Sequence, residues 1–139
     1  DMLYKKSRSL GFGREVKERI MRGIYYMTAG RRNEYYDSAV SARREICKKM
    51  CNFLPSGVLM ITPTAPFPAP RVNDGINGIY TDKFTVPANL AGLPAISVPI
   101  KLDGEVLGIQ ITGGRGRDAD VLHAALALER RIREACYEV

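Results

Sequence analysis

Thr85-Val86-Pro87-Ala88-Asn89-Leu90-Ala91-Gly92-Leu93-Pro94 runs straight into Ala95-Ile96-Ser97-Val98-Pro99-Ile100-Lys101-Leu102-Asp103-Gly104. The first half reads as a short helix over 85–90, with Thr85 as N-cap and Pro87 in its first turn. Gly92 ends that helix, because glycine fits the left-handed cap. Residues 95–102 then read as a strand, and Asp103-Gly104 is the two-residue turn chemistry of a hairpin. Residues 106–112 are the returning strand. With two helices, a strand and a loop expected before it and a last helix after it, this order of mixed helices and few strands implies an α/β sandwich.

On the C-terminal side, Gly113-Gly114-Arg115-Gly116 is a loop. Asp118 is the expected cap of a last helix reaching about 137, with Val121, Leu122, Ala125, Leu128, Ile132 and Cys136 turned inward. On the N-terminal side, Pro55-Ser56-Gly57 breaks the chain, and the apolar run Val58-Leu59-Met60-Ile61 predicts a strand buried on both faces. Residues 62–78 carry Pro63, Pro66, Pro68, Pro70, Gly75 and Gly78, which exclude a helix or a central strand and predict a long loop. Residues 7–13 read as a Gly-rich loop. A helix follows over 13–29, with Val16, Ile20, Ile24 and Met27 in one stripe. Asn33 is the expected N-cap of a second helix over 34–54, whose apolar face is Tyr36, Ala39, Val40, Ile46, Cys47, Met50, Phe53 and Leu54. Arg43 interrupts that face. The chain thus divides into a helical part (7–54), a strand with its Pro/Gly-rich loop (55–84), and a short helix, hairpin and last helix (85–139). Three strands make a thin sheet, so the chain is expected to complete a larger one.

Composition bounds the function. The 139 residues carry a net charge of +6. The charge is concentrated in residues 1–54, which hold 13 Lys/Arg against 6 Asp/Glu. Such a half can attract nucleic acid. Yet Arg31-Arg32, Arg43-Arg44 and Lys48-Lys49 fit no RNA-binding motif, and the solvated face of basic helices is the plainer explanation. No apolar run approaches the roughly 20 residues of a membrane helix. The start at Asp1, without Met or an apolar leader, reads as a cut inside a longer chain. Three cysteines do not make a paired disulfide framework, and the expected compartment is the reducing cytoplasm. Cys47, Cys51, Cys136 and the single His123 lack zinc-ligand spacing, so no metal site is expected.

Few residues suggest chemistry by position alone. His123 lies mid-helix, and no G-x-S-x-G elbow supplies a nucleophile for it. Gly11-Phe12-Gly13 and residues 113–116 fit neither phosphate-loop pattern. Asp74, Asp82 and Asp103 sit in loops, and the hairpin accounts for Asp103. Arg19, on a helix, and Asp82, just before the short helix, would suit a zwitterion if they converged. A guanidinium pairs with a carboxylate through a two-pronged hydrogen-bonded fork, and a carboxylate pairs with an ammonium.

Thr62-Pro63-Thr64-Ala65-Pro66 and the stretch from Tyr80 to Pro99, with Ser7–Gly13, Glu15–Met21, Tyr35-Tyr36, Gly108–Gly113 and the pattern over 122–129, closely resemble the C-terminal third of an amidase-signature family. The likeness is to the A subunits of tRNA-dependent amidotransferases. It implies the C-terminal part of an α/β/α sandwich around a mixed sheet, incomplete in this chain. It implies a subunit that hydrolyses glutamine to ammonia. A B subunit would use that ammonia, with ATP and Mg, to amidate Glu-tRNA(Gln) or Asp-tRNA(Asn), and a small C subunit would join them. The tRNA would be held mainly by the B subunit, and no cofactor is expected in this chain. The family's Ser–cis-Ser–Lys triad belongs to an earlier signature region, so no catalytic residue is expected here and the isolated chain is expected to be inactive. The resemblance gives Arg19 the glutamine α-carboxylate and Asp82 the α-amino group. It gives Pro87, Asn89, Gly92 and Pro94 a role in backbone geometry beside the pocket. The chain departs from the pattern at Ser56-Gly57 and over 114–117. Two rival readings remain: a segment of a general small-amide amidase, and a non-catalytic assembly module that exposes a sheet edge and self-associates.

Overall fold

The computed structural model describes residues 2–28, 30–71 and 82–137, the side chains of 136 and 137 aside. The described chain is mixed α/β. It contains helices α1 (Met2–Gly11), α2 (Arg14–Met27) and α3 (Ser38–Phe53), the last preceded by a π-helical turn at Asn33–Asp37. Strand β1 (Leu59–Pro63), helix α4 (Val86–Ala91), strands β2 (Ala95–Leu102) and β3 (Glu105–Gly113), and helix α5 (Asp118–Tyr137) follow. Two compact units divide between Ala42 and Arg43. Residues 72–78 of the 62–78 loop, Asp74 among them, lie outside the described residues.

The second unit is organised by the hairpin. Asp103 and Gly104 take φ values of 50° and 83°, the left-handed pair that a tight hairpin turn needs. Leu102 therefore faces Glu105, and the ladder runs back to Ala95 opposite Thr112. β1 pairs antiparallel with the other side of β3, giving the order β1-β3-β2. Pro63 closes β1 at the sheet edge, where its missing N–H costs nothing.

Alternation assigns the two faces. Val98, Ile111 and Ala125 form one core cluster with Leu59, Ile96, Leu128 and Ile132, because α5 lies over β2 and β3. The other face carries Met60, which joins Leu54, Ala91 and Leu93 with Cys47 and Met50 from α3. Ile111 is 2% exposed, and burial of such a side chain contributes about 1.5–3 kcal/mol.

The first unit is helical and holds no buried residue in α1, α2 or the π-turn. The end of α2 is tied to the residues that follow it. Arg31 donates to the Tyr25 hydroxyl, and its guanidinium lies over the Tyr25 ring.

Several expectations need correction. Residues 7–11 are not a loop but the end of α1, since Phe12 N–H still donates to the Arg8 carbonyl. Asn33 is not an N-cap: Tyr35 N–H already bonds the Arg31 carbonyl, so no donor waits there to be capped. Thr85 stands at the cap position, but its hydroxyl donates to the Asp82 carbonyl rather than accepting from the helix. The β1 segment is not buried on both faces. Ile61 is 66% exposed, because β1 is an edge strand here. Leu122 does not face the core; with Leu126 it lines a groove along the edge strand β2. Tyr36 and Phe53 are likewise exposed rather than inward.

Candidate functional site

The face of the sheet opposite α5 carries a polar track. Thr62 of β1, Gln110 of β3 and Ser97 of β2 are register partners, so their side chains share that face. Thr64 Oγ1 and Ser97 Oγ lie 2.6 Å apart. Gly108 makes room for them, since a Cβ there would stand 2.7 Å from both oxygens. Gln110 is 4% exposed, and its Nε2 donates to the Phe84 carbonyl at 2.9 Å and to Thr62 Oγ1 at 3.4 Å. Thr112 on the same strand is fully buried with an unpartnered hydroxyl, and nothing in the structure explains it.

The Phe84 bond ties the sheet to the turn that begins at Asp82. The Asp82 carbonyl accepts from Thr85 N–H at 3.1 Å, Val86 N–H at 2.9 Å and Thr85 Oγ1 at 3.1 Å. The Asp82 side chain is exposed and has no ion pair among the described residues. Pro87 sits in the first turn of α4 and Asn89 on its exposed side. The helix stops in a Schellman arrangement. Gly92 takes φ 65° and donates to the Asn89 carbonyl at 3.3 Å, and Leu93 N–H reaches the Ala88 carbonyl at 3.0 Å. Pro94 follows, and its carbonyl accepts from Gly113 N–H at 3.0 Å.

Three side chains missed by sequence reasoning finish the α4 terminus. Arg43 Nε donates to the Leu90 carbonyl at 3.0 Å, and Cys47 Sγ donates to the same oxygen at 3.3 Å. Arg115 donates to the Ala91 carbonyl at 3.1 Å. Donors, two of them cationic, thus meet carbonyls that a short helix leaves unpaired. Arg43, which broke the apolar stripe of its helix, is explained by this contact.

Arg19 belongs to the first unit and Asp82 to the second. Arg19 lies on α2, where its Nε pairs with Glu15 Oε1 at 2.9 Å and its side chain is 76% exposed. A cleft of about 550 Å³ runs beside β1, lined by Ile61, Pro63, Phe67, Ile100, Leu107 and Ile109 among others. It is apolar, and neither Arg19 nor Asp82 lines it. His123 is exposed on α5. Among the described residues no cluster of His, Cys, Asp or Glu could hold a metal. No helix among them is long and apolar enough to cross a membrane.

Likeness to known proteins identifies the family. The chain is 38% identical over 132 residues to the A subunit of glutamyl-tRNA(Gln) amidotransferase from Thermotoga maritima, covering 92% of this chain and 28% of that one. It is 41% identical over 137 residues to the Novosphingobium aromaticivorans protein of the same name, covering 94% and 28%. The chain therefore spans little more than a quarter of the length of the curated relatives it matches. The crystal structure of the Thermotoga maritima protein superposes with a TM-score of 0.63 at 37% identity, over 91% of this chain and 29% of that one. A crystal structure described as that of an amidase gives 0.71 at 26% identity, over 91% and 30%. The family profile described as Amidase matches residues 1–122, and this chain belongs to the amidase family.

Proposed function

We propose that the chain is part of a glutamine-hydrolysing amidase subunit, which supplies ammonia for converting Glu-tRNA(Gln) to Gln-tRNA(Gln) in cytoplasmic translation. The observation that carries this reading is the 38–41% identity, over more than nine-tenths of the chain, to proteins named as that subunit. In this reading the segment recognises the amino-acid end of glutamine. Arg19 takes the α-carboxylate and Asp82 the α-ammonium. Pro87, Asn89, Gly92 and Pro94 fix the backbone next to Asp82. The Ser–Ser–Lys chemistry comes from other parts of the subunit. A B subunit using ATP and Mg, together with a C subunit, takes up the ammonia, and tRNA binds mainly through the B subunit. The proposed fold of the whole is an α/β/α sandwich with a mixed sheet, to which these three antiparallel strands contribute.

The chemistry supports the assignment. Glutamine differs from a simple amide by two charged groups at the end remote from the reaction. Holding those groups spends binding energy on orienting the carboxamide. The Arg19–Glu15 pair is exposed on a helix surface, and such pairs contribute only about 0–1 kcal/mol. A substrate carboxylate can therefore replace Glu15 at little cost.

A second reading, a general small-amide amidase, is favoured by the higher TM-score of the amidase structure, 0.71 against 0.63. Ammonia release from glutamine and from simple aliphatic amides, measured on the complete subunit, separates the two. The proposal expects a clear preference for glutamine. A preference for aliphatic amides would favour the second reading. The isolated 139-residue chain is expected to release no ammonia from glutamine, and turnover by it would contradict the assigned division of labour.

A further inference from the structure

We infer that Gln110 is a positioning residue for substrate recognition, fixing Asp82 through the Phe84 carbonyl. The inference rests on the reading of Asp82 as the group that binds the α-ammonium.

Gln110 is a polar residue in the middle of the central strand, between Ile109 and Ile111, and 4% exposed. A buried amide at such a position is tolerated when its donors and acceptors are used. The Gln110 amide nitrogen has two acceptors, Phe84 O at 2.9 Å and Thr62 Oγ1 at 3.4 Å. The shorter bond goes to a carbonyl that no helix bond uses. α4 begins its own ladder one residue later, where Asn89 N–H reaches the Thr85 carbonyl at 3.3 Å. Without Gln110, the Phe84 carbonyl would lose its one side-chain donor.

The turn is thus held from both ends. Inside it, three donors converge on the Asp82 carbonyl, which fixes residues 82–86 as one piece. From outside, Gln110 fastens that piece to the sheet at Phe84, two residues from Asp82. Sheet strands are the stiffest available support, and a binding carboxylate performs best when its backbone is locked from below. Thr62, across the ladder on β1, gives the amide a second acceptor and limits its rotation. Gln110 touches no substrate in this account; it acts only through the placement of Asp82.

The test is made on the complete glutamine-hydrolysing subunit with two substrates, glutamine and glutaramate, which is glutamine without its α-amino group. Loss of a hydrogen bond involving a charged group corresponds to about a 10- to 100-fold change. Wild-type protein should therefore prefer glutamine in kcat/KM by at least about tenfold, and Asp82→Asn should remove that preference. Gln110→Met should remove most of the same preference, mainly through KM for glutamine, while kcat/KM for glutaramate falls by a smaller factor. Gln110→Leu, smaller and without a donor, is the second variant should the first fail to fold as judged by thermal melting. An equal loss on both substrates would mean a purely structural role and would overturn the inference. So would a fully retained preference in a folded Gln110 variant. If wild-type protein shows no preference for glutamine, or Asp82→Asn keeps the wild-type preference, the reading of Asp82 itself fails, and that outcome is distinct from the other two.

Discussion

Residues 2–42 and residues 43–137 were patterned alike but are finished differently. The stripe Val16, Ile20, Ile24 and Met27 on α2 recurs at helical spacing, as Val121, Ala125, Leu128 and Ile132 do on α5. Every member of the first set is exposed, whereas Val121 and Ala125 are buried. All the buried residues among those described lie beyond Ala42. The difference is the sheet: α5 has β2 and β3 to lie on. α2 is supported by surface ion pairs such as Arg14–Glu18 at 2.8 Å and Arg19–Glu15 at 2.9 Å. Periodicity thus shows which face of a helix wants burial, and packing decides whether it is obtained.

The sharpest way to break this contrast is in the sheet. Ile111→Ala leaves a cavity between the hairpin and α5 and should cost about 2–5 kcal/mol in denaturant unfolding. Gly108→Ala should come next, at about 1–3 kcal/mol, because its Cβ would press on the Thr64 and Ser97 hydroxyls. Ile24→Ala on α2 should shift the unfolding midpoint of the 139-residue chain by no more than about 0.5 kcal/mol, since no buried contact is lost. Native-state hydrogen exchange should rank the regions the same way, slow in β3 and fast in α2.

The smallest effect concerns pH. A hydrogen bond from Lys49, aided by its charge, holds the Glu45 carboxyl below its ordinary value. A depressed carboxylate contributes stability that is present above its unfolded pKa and lost as pH falls through the folded one. The pair is fully exposed, so Glu45→Gln should leave the melting temperature at physiological salt unchanged within error.

Local chemistry was legible in the sequence, and distant partnership was not. Asp103-Gly104 needed only its own backbone preference to set the hairpin, and Gly92 needed only a left-handed φ to end α4. Arg43 looked like a flaw because its acceptor, the Leu90 carbonyl, lies 47 residues away. Gln110 drew no reading beyond its place in the returning strand, because the carbonyl it serves is brought near only by the turn before α4. Leu122 fits the inward face of α5 by spacing, yet the sheet ends at β2 before reaching it. Arg19 and Asp82 stood out through a family resemblance. Position alone left them open between a zwitterion-binding pair and a surface arginine with a loop aspartate.

The zwitterion grip is tested most directly by kcat/KM for glutamine and for a simple aliphatic amide in Arg19→Ala and Asp82→Asn forms of the complete protein. Each variant should lose about 10- to 100-fold on glutamine and far less on the aliphatic amide, because each removes one charge-assisted contact to a group the simple amide lacks. Unchanged glutamine turnover in both variants, or equal losses on both substrates, would contradict the account.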